Sequence, residues 1–252
     1  MGIVMNTAYL IMQEGLRRPF HGKILQMGKQ DVYLSLEGLQ QLAKHLSYPL
    51  KKLMDKEILL NQKDWAAPMK MISDTTFFRA LGFSEVFSMD YSASEGADYI
   101  WDINNLVPGE HHEEYDVVFD GGTAEHVFSI PNFLLNVCLM ASIMGRVIHD
   151  SPSSAVIDHG FYSIQPTLYN DFYQANNFEI NTITVTKLEK ERMLSHTAEN
   201  LPYTPGMYDL HKTFVLDGKL YGTFCVATKR SEFKAMINPQ QSLWARLVGK
   251  VS

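Results

Sequence analysis

Short runs of β-forming residues alternate with helical segments along most of this chain. The pattern starts with KILQMG at 23–28 and LEGLQQLAKHL at 36–46. Further β-rich runs lie at 85–90, 97–103, 115–122, 146–150 and 178–186, and helical segments at 131–144 and 167–176. Such alternation is typical of a mostly parallel sheet covered by helices on both faces. Asp217 and Gly218 separate two β-rich runs near the end, which predicts an antiparallel hairpin.

The order of these elements predicts an α/β fold with a doubly wound, mostly parallel sheet of seven strands. Helices cover both faces, and the hairpin closes the sheet at its C-terminal part. A chain of 252 residues can form one such domain with a full core, whereas two domains would each be small. We therefore predict a single domain over 1–252, with an N-terminal helical cover at 1–20, a helical insertion at 50–80 and a C-terminal tail at 236–252.

The charge balance and the hydropathy limit the partners of the chain. The net charge is −6, with 28 acidic and 22 basic residues, and this argues against a nucleic acid. No apolar run approaches the roughly 18 residues that cross a bilayer. In the first 18 residues the positive charges follow the apolar stretch, the reverse of a secretory signal. We expect a cytoplasmic protein without a membrane span, and a homodimer is left open.

Polar residues gather where the predicted strands end. In an open parallel sheet, ligands bind outside the carboxyl ends of the strands. The residues at those ends, in strand order, are Gly28 and Gln30, then Asp90, then Asp102, then Asp120, Gly121, Glu125 and His126, then His149, His159, Tyr162 and Gln165. A carboxylate after the second strand can accept hydrogen bonds from both hydroxyls of a ribose, and Asp102 is placed to meet an adenine edge. Capping of the following segments is the other interpretation of these acids.

The run EVFSMDYSASEGADYIWDIN, with EYDVVFDGGTAEHVF and GRVIHDSP after it, resembles the class I S-adenosylmethionine (SAM)-dependent methyltransferases. The resemblance covers about residues 20–230. It implies SAM as cofactor, bound by Gly28, Gln30, Asp90, Tyr91, Asp102, Ile103, Asp120 and Gly121. The loop after the first strand departs from the family, because it keeps one glycine, Gly28, where several usually let the backbone approach SAM. Binding through side chains and loss of the cofactor site both stay open.

Glu125 and His126 resemble the pair found in methyltransferases of small hydroxylated substrates. This implies methyl transfer to a hydroxyl of a small molecule or a sugar or glycan precursor. A hydroxyl needs a base, and histidine suits that role near neutral pH, so we expect His126, His159 and Glu125 to be catalytic. Three further residues are expected to contact the substrate, namely His149, Tyr162 and Gln165.

No metal is expected at this site. Gly122 stands where metal-binding relatives carry an additional acid, three residues before Glu125. A set of three ligands made of Glu125, His126 and His159 is the alternative.

Two other functions remain open from the sequence. An inactive protein with the methyltransferase fold, acting in binding or as a scaffold, is favoured by the altered glycine loop. A different enzyme on the same sheet, such as one that modifies nucleotide sugars, is the second. A Rossmann dehydrogenase is disfavoured because no G-x-G-x-x-G motif follows any predicted strand.

Overall fold

The computed structural model describes residues 2–154, 156–189, 197–207 and 218–242. Its strands are β1 (Lys23–Met27), β2 (Glu85–Asp90), β3 (Tyr99–Ile100), β4 (Tyr115–Asp120), β5 (Ala141–Ser154), β6 (Phe178–Leu188), β7 (Glu199–Pro202) and β8 (Leu220–Lys229). Its α-helices are α1 (Met5–Arg17), α2 (Leu36–Leu46), α3 (Asp74–Leu81), α4 (Ile130–Met140) and α5 (Pro166–Ala175). Within these ranges, no helix is both long and apolar enough to span a membrane.

All of these strands belong to one sheet, in the order β3-β2-β1-β4-β5-β8-β6-β7. The five strands from β3 to β5 are parallel, and β8 runs antiparallel to both of its neighbours, β5 and β6. This confirms the predicted α/β fold with a mostly parallel, doubly wound sheet and an antiparallel C-terminal part. In the described part of the chain the sheet has eight strands and not the predicted seven, because β7 has the sequence ENLP, which shows no β-rich pattern. The first run of the predicted hairpin lies outside the described residues.

Helices cover both faces of the sheet, as predicted. Successive side chains of a strand point to opposite faces, and the two hydrophobic clusters divide accordingly. Ile24, Val117, Phe119, Ile148 and Phe224 pack with α1, α2 and α3 on one face. The residues that alternate with them, which include Leu25, Val118, Val147 and Cys225, pack with α4 and α5 on the other. The core is therefore continuous along the sheet on each side.

The predicted helix at 131–144 ends earlier than expected. α4 stops at Met140, and β5 begins at Ala141, which pairs with Tyr115 of β4. The buried Lys229 ammonium donates to the carbonyls of Cys138 and Ala141, so its positive charge lies at the carbonyl end of the helix. This lysine comes from the end of β8, far along the chain, and the local sequence around Gly145 cannot reveal it.

The segment at 50–80 contains less helix than the sequence predicts. α3 is its single α-helix, and the rest is irregular apart from two one-turn 3₁₀ helices, Asp55–Glu57 and Ala67–Met69. Leu60 forms a bridge with Ile72, which folds the segment back on itself.

The N-terminal helix α1 is tied to β5 through a buried arginine. The Arg146 guanidinium donates to Glu14 at 3.0 Å and to the carbonyl of Arg18 at 2.7 Å. It also lies over the ring of Phe20, 4.3 Å from the ring centroid. Charge pairing, hydrogen bonding and a cation–π contact together satisfy a charge that would be costly to bury alone. These contacts hold α1 beside the part of β5 that leads to the candidate site.

Candidate functional site

The carboxyl ends of β1, β2, β4 and β5 meet at one edge of the sheet. Met27 pairs with Met89 on one side and with Asp120 on the other, and Asp120 pairs with His149. Gly28 and Gly121 directly follow β1 and β4, Asp90 ends β2, and Asp150 follows His149 within β5. These four residues therefore lie close together, as the sequence predicts. We refer to this edge as the strand-end rim, which comprises Gly28, Asp90, Gly121 and Asp150.

Gly28 makes the tight turn that follows β1. Its φ of +74° lies in the left-handed region, and a Cβ at this position would be 2.6 Å from the Thr123 hydroxyl. A side chain here would be strained by the backbone and would also clash with the loop after β4. The Gly28 N–H donates to the carbonyl of Met89 at 2.7 Å, which ties the turn to β2.

Gln30 fills the space behind this turn. Its amide nitrogen donates to the carbonyls of Met27 and Gly28, both at 3.1 Å. Its buried amide oxygen has no hydrogen-bond partner within the described ranges, and a Cβ at Gly121 would lie 2.6 Å from it. A buried acceptor without a donor is costly, so this oxygen is suited to a donor group that a ligand brings.

Asp90 lies between the loops that follow β1 and β2. One carboxylate oxygen accepts from the Lys29 N–H and the other from the Ser92 N–H, both at 3.0 Å. A carboxylate has about four acceptor positions, so hydroxyl groups of a ligand can still bind here. The neighbouring Tyr91 is exposed, and its ring is available beside the same carboxylate.

Asp102 matches the capping interpretation in this structure. Its carboxylate accepts from the backbone and the side chain of Asn104, at 3.0 and 2.9 Å, and from Asn105. Ile103 is buried in the core on the α4 side. An adenine contact at this position stays a prediction, and the side chain of Ile103 does not line the rim.

A buried chain of hydrogen bonds runs from Asp120 through His149 to Tyr173. His149 Nδ1 lies 2.7 Å from Asp120 Oδ2, and His149 Nε2 lies 2.5 Å from the Tyr173 hydroxyl. The His149 ring also stacks on Tyr169 at 4.3 Å between centroids. All of these side chains are fully buried, because the aromatic residues of α5 cover this end of β5. His149 is fully buried in this arrangement, and its expected contact with a substrate stays a prediction.

Asp120 has a structural role as well. Its other carboxylate oxygen accepts from the Thr123 and Ala124 N–H groups at 2.8 and 3.2 Å. A direct contact of this carboxylate with a cofactor, as the sequence predicts, does not fit its complete burial. Asp120 instead holds the turn that leads into the 3₁₀ helix Ala124–His126.

That turn places Glu125 and His126 next to His159, and we refer to these three residues as the Glu–His cluster. Glu125 is completely buried, whereas the His126 and His159 side chains are 45% and 31% exposed. Glu125 Oε1 lies 3.5 Å from His159 Nε2 and 3.9 Å from His126 Nε2. Burial and the nearby Asp120 charge raise the pKa of Glu125 to about 8. Burial lowers the pKa of both histidines below their ordinary value.

Backbone hydrogen bonds hold the loop of His159 against Glu125. The N–H groups of Phe161 and Tyr162 both donate to the Glu125 carbonyl, at 2.8 and 3.2 Å. The Tyr162 hydroxyl donates to the carbonyl of Phe128 at 2.8 Å, and its partly exposed ring lies at the surface near the Glu–His cluster. This position leaves the predicted substrate contact of Tyr162 open.

The side-chain amide of Gln165 forms a hydrogen bond within the protein. Its amide nitrogen donates to the carbonyl of Ser153 at 2.8 Å, and the residue precedes the first turn of α5. The side chain thus joins α5 to β5. The predicted substrate contact of Gln165 is not supported by this geometry.

A cavity of about 130 Å³ between α1 and the ends of β4 and β5 has no counterpart in the sequence analysis. Its lining is mostly apolar and includes Val4, Tyr33, Gly121, Pro152 and Val156. The polar residues that line it include Asp150, Ser151 and Thr7, and the Thr7 hydroxyl donates to the Asp150 carboxylate at 2.5 Å. Burial raises the pKa of Asp150 to about 6. The one sequence signal is the polar pair Asn6 and Thr7 at the start of a helix whose next buried residues are apolar.

No family model and no curated protein matches this chain. Among solved structures, it is similar to a putative SAM-dependent methyltransferase from Listeria monocytogenes, with 13% identity, a TM-score of 0.44, and coverage of 89% of this chain and 98% of that one. It is also similar to the Burkholderia thailandensis 1,6-didemethyltoxoflavin-N1-methyltransferase, with 12% identity, a TM-score of 0.44, and coverage of 90% and 78%. A putative methyltransferase from Bacillus halodurans shows 10% identity, a TM-score of 0.40, and coverage of 88% and 99%. Sequence identities of 10–13% and TM-scores of 0.40–0.44 do not establish an activity for this chain.

Proposed function

We propose that this chain is a SAM-dependent methyltransferase that acts on a hydroxyl of a small molecule. The observation that carries the proposal is the position of Gly121. A Cβ at Gly121 would lie 2.6 Å from the unpartnered amide oxygen of Gln30, and Gly121 also lines the cavity under α1. The cofactor site and the acceptor site would thus both border the Gly121 backbone at the strand-end rim, and group transfer requires such proximity.

The residues present fit SAM on the side of β1 and β2. Asp90 would accept hydrogen bonds from the ribose hydroxyls, and Gln30 would accept one from the amino group of the methionine part. Glycine at positions 28 and 121 lets the loops after β1 and β4 pack closely together at this rim, because a Cβ at either position would clash with a neighbouring side chain. When bound, SAM supplies an electrophilic methyl group on a positively charged sulfur. The residues of the chain would hold both reactants and accept the proton of the acceptor hydroxyl.

The cavity under α1 supports an acceptor with an apolar body. Its lining is mostly apolar, and Asp150 and Ser151 supply the polar contacts. A small hydroxylated molecule fits this lining better than a free sugar, which would leave hydroxyls without partners. The Glu–His cluster is attached to the same turn as Gly121, and neutral imidazoles there can accept the proton of a hydroxyl near pH 7. The cytoplasmic location and the homodimer stay predictions from the sequence.

An inactive binding or scaffold protein is the second candidate function. It is favoured by the loop after β1, whose N–H groups at Gly28 and Lys29 already donate to Met89 and Asp90. Backbone donors used in this way are not available to a ligand unless the loop rearranges.

Calorimetry with SAM and with S-adenosylhomocysteine separates the two candidates. Wild-type protein is expected to bind both, and Asp90→Ala should weaken binding by about 10- to 100-fold, since a hydrogen bond to a charged group is worth about 1.5–3 kcal/mol. The matched control is Asp116→Ala. Asp116 also accepts a backbone N–H, that of Lys23 at 2.7 Å, but it lies at the opposite edge of the sheet. Absence of binding at millimolar SAM would favour the scaffold.

A further inference from the structure

The Glu125 carboxylate is completely buried, and it has no hydrogen-bond partner among the described residues. Neither of its oxygens receives a hydrogen bond from another residue in the described part of the chain. The Nε2 atom of His159 beside it is also buried and unpaired there. Uncompensated buried polar groups are rare in folded proteins, and each requires a specific explanation. A group that is absent from the polypeptide and that satisfies all of these atoms at once would provide one.

The spacing of the three side chains matches a shared ligand better than direct hydrogen bonds. Both histidines direct Nε2 toward the same carboxylate oxygen, at 3.5 and 3.9 Å. A hydrogen bond from histidine to a carboxylate would bring these atoms to about 2.7–2.9 Å. Three ligand atoms around a tetrahedral zinc ion, at about 2.0–2.1 Å from the metal, lie about 3.3 Å from one another. The three atoms here all lie within 4.8 Å of one another.

We propose that Glu125, His126 and His159 bind a divalent transition-metal ion, with zinc as the reference case. Two imidazoles and one carboxylate form the ligand set of several zinc enzymes, and they leave the fourth coordination position open for water or a substrate. The ion would neutralise the buried carboxylate and satisfy His159 Nε2. Closing the remaining distance takes a small rotation of the half-exposed His126 ring, whereas Glu125 stays in place.

The framework around the cluster holds the ligands in position before a metal arrives. The loop of His159 is fixed by two backbone hydrogen bonds to the Glu125 carbonyl. Asp158 adopts a φ of +61°, which is strained for a residue with a side chain and turns His159 toward the cluster. A Cβ at Gly160 would lie 2.7 Å from the Glu125 carbonyl oxygen, so glycine permits the close approach of the two segments. Restraint of this kind is typical of ligands that belong to one site.

Exposed aromatic side chains lie two residues after His126 and two residues after His159 in the chain. Phe128 and Phe161 are 71% and 66% exposed and pack edge to face at 5.7 Å between ring centroids. A ligand with an oxygen donor and an apolar body therefore suits the open coordination position. If the proposed methyltransferase function also holds, a metal-bound hydroxide would serve as the base that takes the proton of the acceptor hydroxyl, and it would remain as bound water. The two histidines would then be metal ligands, and a free imidazole base would not be needed.

The test is a titration of chelator-treated protein with Zn²⁺ by calorimetry, in the absence of SAM. Wild-type protein is expected to bind one equivalent, and Glu125→Gln, His126→Ala and His159→Ala should each weaken binding by at least tenfold. The matched control is His21→Ala, because His21 Nδ1 lies 3.8 Å from an Asp116 carboxylate oxygen and forms a similar pair without a second histidine. Its affinity for Zn²⁺ should equal that of the wild type.

A second readout guards against variants that fail to fold. Co²⁺ in the site should give visible absorption bands typical of a four-coordinate ion, and Zn²⁺ should raise the melting temperature of the wild type but not of Glu125→Gln. The proposal is overturned if folded wild-type protein binds no Zn²⁺, or if the three variants bind it as tightly as His21→Ala does. Because no SAM is added, a failure of the proposed methyltransferase activity would leave this result unaffected, and the two failures can be told apart.

Discussion

Replacing Asp120 by Asn tests the buried hydrogen-bond chain that joins β4, β5 and α5. In the wild type, the Asp120 carboxylate can only accept, so His149 Nδ1 carries the proton and His149 Nε2 accepts from the Tyr173 hydroxyl. An Asn that keeps its oxygen toward the Thr123 N–H presents its NH₂ group to His149. The histidine must then move its proton to Nε2, and the Tyr173 hydroxyl loses its acceptor.

The magnitude follows from this count of hydrogen bonds. Asp120→Asn loses one hydrogen bond to a charged group, about 1.5–3 kcal/mol, and leaves one buried hydroxyl unpaired, about 1–3 kcal/mol. Tyr173→Phe alone leaves His149 Nε2 unpaired, at a similar cost of about 1–3 kcal/mol. The double variant has a single unpaired group, on His149, whereas the sum of the two single variants counts two. We therefore expect the double variant to be more stable than additivity predicts, by about 1–2 kcal/mol.

Urea denaturation of the four proteins gives the free energies of unfolding for this cycle. Tyr169→Phe is the matched control, because the Tyr169 hydroxyl bonds to Ser151 at 2.8 Å and does not belong to the chain. The pair Asp120→Asn and Tyr169→Phe should be additive within about 0.5 kcal/mol. Additivity of Asp120→Asn with Tyr173→Phe would refute the assigned proton positions.

Two further predictions concern Asp150 and Gly28. The pKa of Asp150 is raised to about 6 in the folded protein and is about 3.8 in the unfolded chain. Between these pH values the folded state binds more protons than the unfolded state, so the free energy of unfolding falls as the pH rises, and the full loss is reached above pH 6. Asp150→Asn should therefore be more stable than the wild type above pH 6, and the gap in urea denaturation should close toward pH 4; a gap independent of pH would contradict this. Gly28→Ala should destabilise the protein by about 1–2 kcal/mol because of its positive φ. In the control Gly38→Ala, within α2, thermal melting should show stabilisation of up to about 1 kcal/mol, since its Cβ would meet the Ser35 hydroxyl at an ordinary 3.5 Å.

Most of the sheet was predictable because its strands are runs of β-forming residues, several of which alternate with amphipathic or apolar helices. The runs at 85–90 and 178–186 match β2 and the first nine residues of β6, and the strand ends identify the rim residues. β7 and the early start of β5 were not predictable, since both depend on neighbours in the sheet and not on local residues. One such neighbour is Lys229 of β8, whose ammonium group donates to the Cys138 carbonyl near the end of α4.

The site residues also divide into those that local sequence could predict and those that depend on distant parts of the chain. Gly28, Asp90 and the Glu–His cluster follow strands, so their place at the rim could be expected. The burial of His149 was not predicted, although His149 shares the alternation of Val147 and therefore faces α5; the aromatic cover of that helix is visible only in the structure. The cavity under α1 could not be predicted, because the contact of Thr7 with Asp150 joins residues 143 positions apart.

The position of β8 has a consequence for how the chain is made. β8 is the last of the described strands, yet it lies inside the sheet and joins β5 to β6. Until its residues leave the ribosome, β5 exposes an unpaired edge, and the strands β6 and β7 cannot attach to the rest of the sheet. About 75 residues separate the end of β5 from the end of β8, an interval of roughly 4–15 s at 5–20 residues per second. During that interval the nascent chain exposes the unpaired backbone hydrogen-bonding groups of β5. Chaperone binding, or pairing with another nascent chain, would then compete with the pairing of β8 to β5.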